Sequence, residues 1–209
     1  MALKFGTSGL RGLVTEMTPE AVTHYTHAFL AACRPEDTAG GVLCLGRDLR
    51  PSSPRIAGDV AQAAEQAGCH VIDCGALPTP ALALAAAYHG GAAVMVTGSH
   101  IPADRNGLKF YTSRGEITKA DETAILAQLE ATLPAETSGS REGDPEAAAR
   151  FIARYVSAFG ATALSGQRIG LYAHSAVGRD DMHRILTALG AEVVELGRSE
   201  HFIPVDTEA

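Results

Sequence analysis

The chain has 209 residues, 46% hydrophobic and 20% charged, with a formal net charge of -7. Such a composition belongs to a soluble globular protein with room for about one and a half ordinary domains. No apolar run approaches the roughly 20 residues of a bilayer span, and the negative balance argues against nucleic acid as a general partner, because phosphate-backbone binders carry basic faces.

The opening residues M-A-L-K-F-G contain no apolar signal region, so the expected location is the cytoplasm. Cys33, Cys44, Cys69 and Cys74 show no C-x-x-C spacing and read as reduced core thiols, with Cys69 and Cys74 on opposite faces if one strand carries both.

The segment G-T-S-G-L-R-G over residues 6–12 sets three glycines and two hydroxyls around Arg11, a composition that lets backbone amides approach an anion. It lacks the Lys-Ser/Thr ending of a P-loop, and by spacing alone it is a plain glycine turn. Thr18-Pro19 then predicts a capped helix start, with Val22, Tyr25, Phe29 and Cys33 as the buried stripe. His24 and His27 have an i, i+3 spacing that a metal could use, but they lie opposite that stripe and read as a solvated face.

Residues 42–45 predict a short buried strand that delivers Arg47, Asp48 and Arg50 to its carboxyl end, where open α/β sheets place ligands. A salt-linked loop explains three alternating charges equally well. Ser53-Pro54 predicts a cap for an alanine-rich helix ended by Gly68, residues 70–74 a returning strand, and Thr79-Pro80 a third helix stopped by Gly90-Gly91.

Residues 92–111, A-A-V-M-V-T-G-S-H-I-P-A-D-R-N-G-L-K-F-Y, form the stretch around which the chain is organised. Five apolar residues rich in β-branching read as a strand buried on both faces, bounded by Thr97-Gly98, so Ser99 arrives at the end of a buried strand with His100 beside it. Asn106-Gly107 is suited to φ > 0 in a turn, after which residues 108–111 return as a strand and bring Lys109 near Ser99. A hydroxyl, an imidazole and an ammonium at one loop make a nucleophile with helpers, although serine after glycine is also ordinary turn chemistry. An acyl-transfer elbow is excluded, since no glycine follows two residues after the serine.

Thr118 and Asp121 predict a capping box for a helix to about residue 133. Residues 134–143 are polar, glycine-containing and aperiodic, and read as a linker. Beyond them a helix to about Phe159, a strand over 168–172, a helix over 180–189 and a strand over 192–196 predict one βαβ unit. One such unit cannot cover both faces of a parallel sheet. The expected fold is therefore α/β: a three-layer α/β/α domain with a mixed sheet over residues 1–136, then an incomplete second α/β domain over 144–209.

The strings T-G-S-H-I-P and N-G-L-K resemble the active-serine loop of the α-D-phosphohexomutases, whose usual form is T-A-S-H-N-P with a following N-G-x-K. The opening F-G-T-S-G-L-R-G and the G-R-D-L-R segment are similar to family segments as well. Here Gly98 stands in place of the usual alanine and Ile101 in place of the usual asparagine. The resemblance covers the whole chain but only about the first half of the family pattern, and no D-x-D run of the family's metal loop occurs. The chain is accordingly expected to be a fragment, itself inactive.

The resemblance implies a phosphoryl group carried on Ser99, Lys109 as general acid/base or phosphate partner, Arg11 as a fixed cation, His100 as an orienting neighbour, and Arg47, Arg50, Arg11 and Lys109 as substrate or phosphate contacts. It implies Mg²⁺ held through the phosphate on Ser99 by aspartates that this chain lacks, with a hexose 1,6-bisphosphate as activator. The implied reaction is interconversion of mannose 6-phosphate and mannose 1-phosphate on a small-molecule hexose phosphate, with glucose or glucosamine phosphate as the alternative. A non-catalytic sugar-phosphate-binding module is the rival from another class. Neither nucleic acid nor membrane is an expected partner.

Overall fold

A computed structural model of the chain describes residues 3–6, 9–33, 37–38, 41–130 and 138–205. One sheet runs in the order β1 (Lys4–Phe5), β2 (Leu10–Leu13), β6 (Arg105–Thr112), β5 (Ala92–Val96), β3 (Val42–Arg47), β4 (His70–Ala76), β8 (Ser140–Gly143), and β7 (Gly115–Glu116) pairs with β6. β3, β4, β5 and β8 are mutually parallel, whereas β6 is antiparallel to both β5 and β2, so the sheet is mixed.

Period-two alternation decides which residues meet which helix layer. Leu43, Leu45, Val94, Val96, Leu108 and Phe110 face one core with residues of α1 (Pro19–Ala32), α2 (Ser53–Gln66) and α4 (Lys119–Ala127). Cys44, Ala93, Met95 and Tyr111 face the other, against α3 (Thr79–His89), α5 (Ala147–Phe159) and α6 (Arg179–Ala188). This is the expected three-layer α/β/α arrangement. A second sheet pairs β9 (Arg168–Tyr172) in parallel with β10 (Glu192–Leu196), joined through α6, and α5 packs on both α3 and α6.

The end signals act as their chemistry requires. The Thr18 hydroxyl accepts from the Ala21 N–H, and Gly90 closes α3 with φ 68, a conformation that glycine adopts without steric cost. The Thr118–Asp121 capping box is formed in both directions. The cysteines are free thiols, and Cys69 and Cys74 pack into different cores. Burial pushes the Cys33 thiol up to about 12, with Asp37 adding to the effect.

Several expectations need correction. Residues 140–143, read as linker, form the edge strand β8, because the backbone of β4 offers a free row of donors and acceptors; residues 134–137 lie outside the described residues. α4 ends at Ala127 rather than near residue 133, which also lies outside them. Asn106-Gly107 lies inside β6 and not in a turn. Gly107 is needed there for close approach: a Cβ would stand 2.5 Å from the Leu10 carbonyl oxygen and 3.1 Å from that of Thr97. Ser53 does not cap α2, since its hydroxyl donates to Asp48 at 2.6 Å. His27 is not solvated; it is buried, with Nε2 3.0 Å from the Ala63 carbonyl oxygen, because α1 lies between α2 and α4 and buries more than one stripe.

Candidate active site

The carboxyl ends of β3 and β5 are neighbours, with Arg47 paired to Val96. From there the chain runs as the loop of residues 97–104 before returning in β6. Ser99 and His100 are exposed, while Gly98 is buried. Ser99 adopts φ 52, a left-handed conformation that costs a serine on the order of 1 kcal/mol or more and persists only when its surroundings impose it.

Those surroundings are Asp48 and Arg50. The Asp48 carboxylate accepts from the Thr97 hydroxyl (2.8 Å) and the Gly98 N–H (3.1 Å) through Oδ2, and from the Arg50 N–H (3.0 Å) and the Ser53 hydroxyl (2.6 Å) through Oδ1. Arg50 has a fully buried guanidinium whose Nη1 donates to the carbonyls of Pro102 (2.8 Å) and Arg105 (3.0 Å) and whose Nη2 donates to those of Ser99 (3.2 Å) and Ile101 (2.6 Å). Its Nε lies 3.5 Å from Asp48 and its face stacks 4.7 Å from the centroid of Phe202. Burial lowers its pKa from the ordinary value, and Asp48 opposes that shift.

Arg50 was expected as a phosphate contact; here all four of its Nη hydrogens go to loop carbonyls and its Nε lies buried beside Asp48, so what the structure shows for it is a part in shaping the loop. The glycine at position 98 belongs to the same arrangement, because a Cβ there would fall 2.2 Å from Arg50 Cζ. Asn106 completes the support from inside β6: its Nδ2 donates to Ser52 (2.8 Å) and Ser53 (2.9 Å).

Of the other expected residues, His100 adjoins Ser99, whereas Arg11, Arg47 and Lys109 lie on strands β2, β3 and β6. His100 Nδ1 is 3.3 Å from Ser99 Oγ, within reach of its proton. Arg11 lies in β2 rather than in the glycine turn, opposite Gly107, whose carbonyl accepts from Thr97 N–H. Thr7 and Ser8, in the glycine-rich segment before it, lie outside the described residues. Neither Arg11 nor Arg47 forms an ion pair among the described residues, so both charges are available. Lys109 pairs in register with Met95 on the face shared with Tyr111, and its ammonium is 3.8 Å from Glu116, its ion-pair partner among the described residues.

A cavity of about 330 Å³ opens over Ser99 and His100, lined across from them by His174, Ser175, Phe202 and Ile203. The sequence reading placed Asp48 at the carboxyl end of its strand without foreseeing that it would be the hub of the loop, and it missed His174 and Ser175 altogether, since residues so far along the chain from Ser99 leave no local signal. Among the described residues no group of His, Cys, Asp and Glu side chains is gathered to hold a metal ion. The donor set therefore does not fit a magnesium site.

Comparison with known proteins adds the following. Residues 2–136 match the family model of phosphoglucomutase/phosphomannomutase, alpha/beta/alpha domain I. A phosphomannomutase of Sinorhizobium fredii is 49% identical over the whole chain and one of Salmonella muenchen 44% identical over 99% of it. The chain spans 46% and 43% of those relatives' lengths. A solved phosphoglucomutase/phosphomannomutase family protein from Burkholderia thailandensis superposes with a TM-score of 0.76 at 28% identity, covering 90% of this chain and 42% of its own.

Proposed function

Because the chain belongs to the phosphoglucomutase/phosphomannomutase family, we propose that it supplies the phosphoryl-carrying part of a hexose-phosphate mutase, in which Ser99 accepts and returns the phosphoryl group. The observation that carries this reading is the imposed, exposed conformation of Ser99: a hydroxyl held at φ 52 by a buried arginine and aspartate, facing a cavity, with an imidazole 3.3 Å away.

In the forward step the bond between the Ser99 oxygen and phosphorus breaks as the free hydroxyl of a bound sugar monophosphate forms its own bond to phosphorus. The sugar hydroxyl loses its proton and the serine oxygen gains one. His100 is the group near enough to exchange a proton with Ser99, and the unpaired Arg11 and Arg47 supply positive charge for the transferring group. Lys109 joins them only by leaving Glu116. Phosphoryl transfer depends mainly on positioning and charge stabilisation, which accords with a loop fixed through its backbone. Mg²⁺ is implied by the family resemblance, but the described residues do not gather ligands for it, and no step here is routed through it.

Mannose phosphate is the proposed substrate, because the relatives 49% and 44% identical are both named phosphomannomutases; glucose phosphate is the alternative. A cytoplasmic location belongs to the same proposal and rests on the likeness to phosphomannomutases; among the described residues no helix is long and apolar enough to cross a membrane. The test is incubation of the full-length protein containing this chain with radiolabelled mannose 1,6-bisphosphate or glucose 1,6-bisphosphate, followed by peptide mapping. Label on Ser99, stronger from the mannose compound and absent in Ser99→Ala, is expected. Saturable sugar-phosphate binding with no label on Ser99 would establish the binding-module reading instead.

A further inference from the structure

Ser99 and His174 are the two described residues other than glycine that adopt left-handed backbone, with φ 52 and 48. Each follows the end of a parallel strand, β5 at Val96 and β9 at Tyr172. Each has its carbonyl fixed by a buried arginine: Arg50 Nη2 donates to Ser99 at 3.2 Å, and Arg179 Nη1 donates to His174 at 3.1 Å and to Ser199 at 2.7 Å. Ser199 N–H adds a second bond to the His174 carbonyl at 2.9 Å. Both residues line the same cavity. Backbone held so firmly against its preference occurs where a side chain must be aimed.

The imidazole is oriented too. Ser175 donates its single hydroxyl hydrogen to the Ile203 carbonyl (3.2 Å) and accepts from Ile203 N–H (3.0 Å), and its oxygen lies 3.3 Å from His174 Nδ1. With that hydrogen used, Ser175 can only accept from the ring, so Nδ1 carries the proton and Nε2 is the atom left to meet a ligand. Nε2 has no hydrogen-bond partner among the described residues.

We propose that His174 binds a phosphoryl group in this cavity through Nε2, as an imidazolium donating to a phosphate oxygen, opposite Ser99. This rests on the reading that the cavity handles phosphoryl groups. The charged and titratable groups around the ring are His100 and Asp48 across the cavity, Tyr172 with its ring 5.6 Å away, and Arg179, itself 3.5 Å from Glu200. A phosphate dianion beside the ring favours its charged form.

The test follows the His174 ring by NMR in the 209-residue chain titrated with inorganic phosphate, and in full-length protein phosphorylated on Ser99. In both, the titration midpoint of His174 is expected to rise by about one pH unit. His174→Asn keeps a donor to Ser175 and tolerates left-handed backbone, and it should weaken phosphate binding about tenfold, the equivalent of that shift, with unchanged circular dichroism. An unmoved His174 midpoint while mass analysis shows Ser99 phosphorylated overturns the inference and leaves the proposed function standing. Failure of the bisphosphate to label Ser99 counts against the proposed function, and the inorganic-phosphate titration then decides His174 by itself: a shift supports it and no shift overturns it. Wild-type phosphate affinity in His174→Asn likewise overturns it.

Discussion

Arg50 illustrates how much of the site depends on one buried side chain. Its four Nη hydrogens satisfy four carbonyls of the loop that carries Ser99. Lysine offers three donors from a point charge, so Arg50→Lys leaves at least one of these loop carbonyls without its charged donor, at a cost of about 1–3 kcal/mol. The urea midpoint should fall accordingly and Ser99 labelling should decline with it; an unchanged midpoint would show that the loop holds itself. Gly98→Ala acts on the same contact, because the added methyl collides with the guanidinium, and overpacking of this kind costs about 1–3 kcal/mol. In an Arg50→Met background the Gly98→Ala penalty should shrink, since the collision partner is gone, and a double-mutant cycle would read the coupling. Strictly additive penalties would contradict the arrangement.

Among the elements, α1 and α4 carry the clearest energetic signatures. Phe29 on α1 is 1% exposed and stacks 4.7 Å from Phe110 of β6, tying helix to sheet. Phe29→Ala should therefore cost about 3–5 kcal/mol of unfolding free energy, checked by equilibrium denaturation, with a loss below 1 kcal/mol implying that the core relaxes into the space. At the start of α4 the Thr118 N–H donates to Asp121 at 2.8 Å, and this bond is the leading cause that holds the Asp121 carboxyl below its usual range. A carboxylate with a depressed folded pKa contributes stability that is fully present above its unfolded value, near 3.9, and is lost as pH falls through the folded value. Asp121→Asn should consequently lower stability at pH 6 and make no difference at strongly acid pH. A mutant penalty that persists unchanged into acid would assign the effect to packing.

For the whole molecule, the notable feature is how the two sheets are joined. α5 packs on α3 of the large sheet and on α6 of the small one, Phe202 stacks on Arg50, and Ser175 holds the backbone of Ile203. The proposed partition into units 1–136 and 144–209 leaves β8 between them, attached to β4 of the first. The 209-residue chain is expected to fold and to show no mutase turnover. Ser99, Arg11 and Arg47 are present, but the chain spans only 46% and 43% of the length of the phosphomannomutases it resembles, so part of what positions a substrate in them has no counterpart here. Effective positioning can supply roughly 7–11 kcal/mol of a barrier, so its partial loss forfeits most of the rate. A coupled assay for mannose 6-phosphate on the purified chain checks this, and sustained turnover that vanishes in Ser99→Ala would refute it.

The sequence by itself determined the features that depend on near neighbours. The buried run ending at Thr97-Gly98 put Ser99 at a strand end, Thr18 and Thr118 marked helix starts, and the T-G-S-H-I-P string placed the chain in its family. Only the tertiary structure decided what depends on contacts distant in sequence. Arg50 gave no sign of the four carbonyls of residues 99–105 that it binds. Asn106-Gly107 looked like a turn until β2 and β5 drew it into a strand. His27 looked solvated until α2 covered it, and residues 140–143 looked like linker until β4 paired with them. His174 acquired its place opposite Ser99 through a fold that brings together the ends of strands from two sheets. Propensity and patterning act over a few residues, whereas donors, acceptors and cavities are allotted by whatever chain arrives in space.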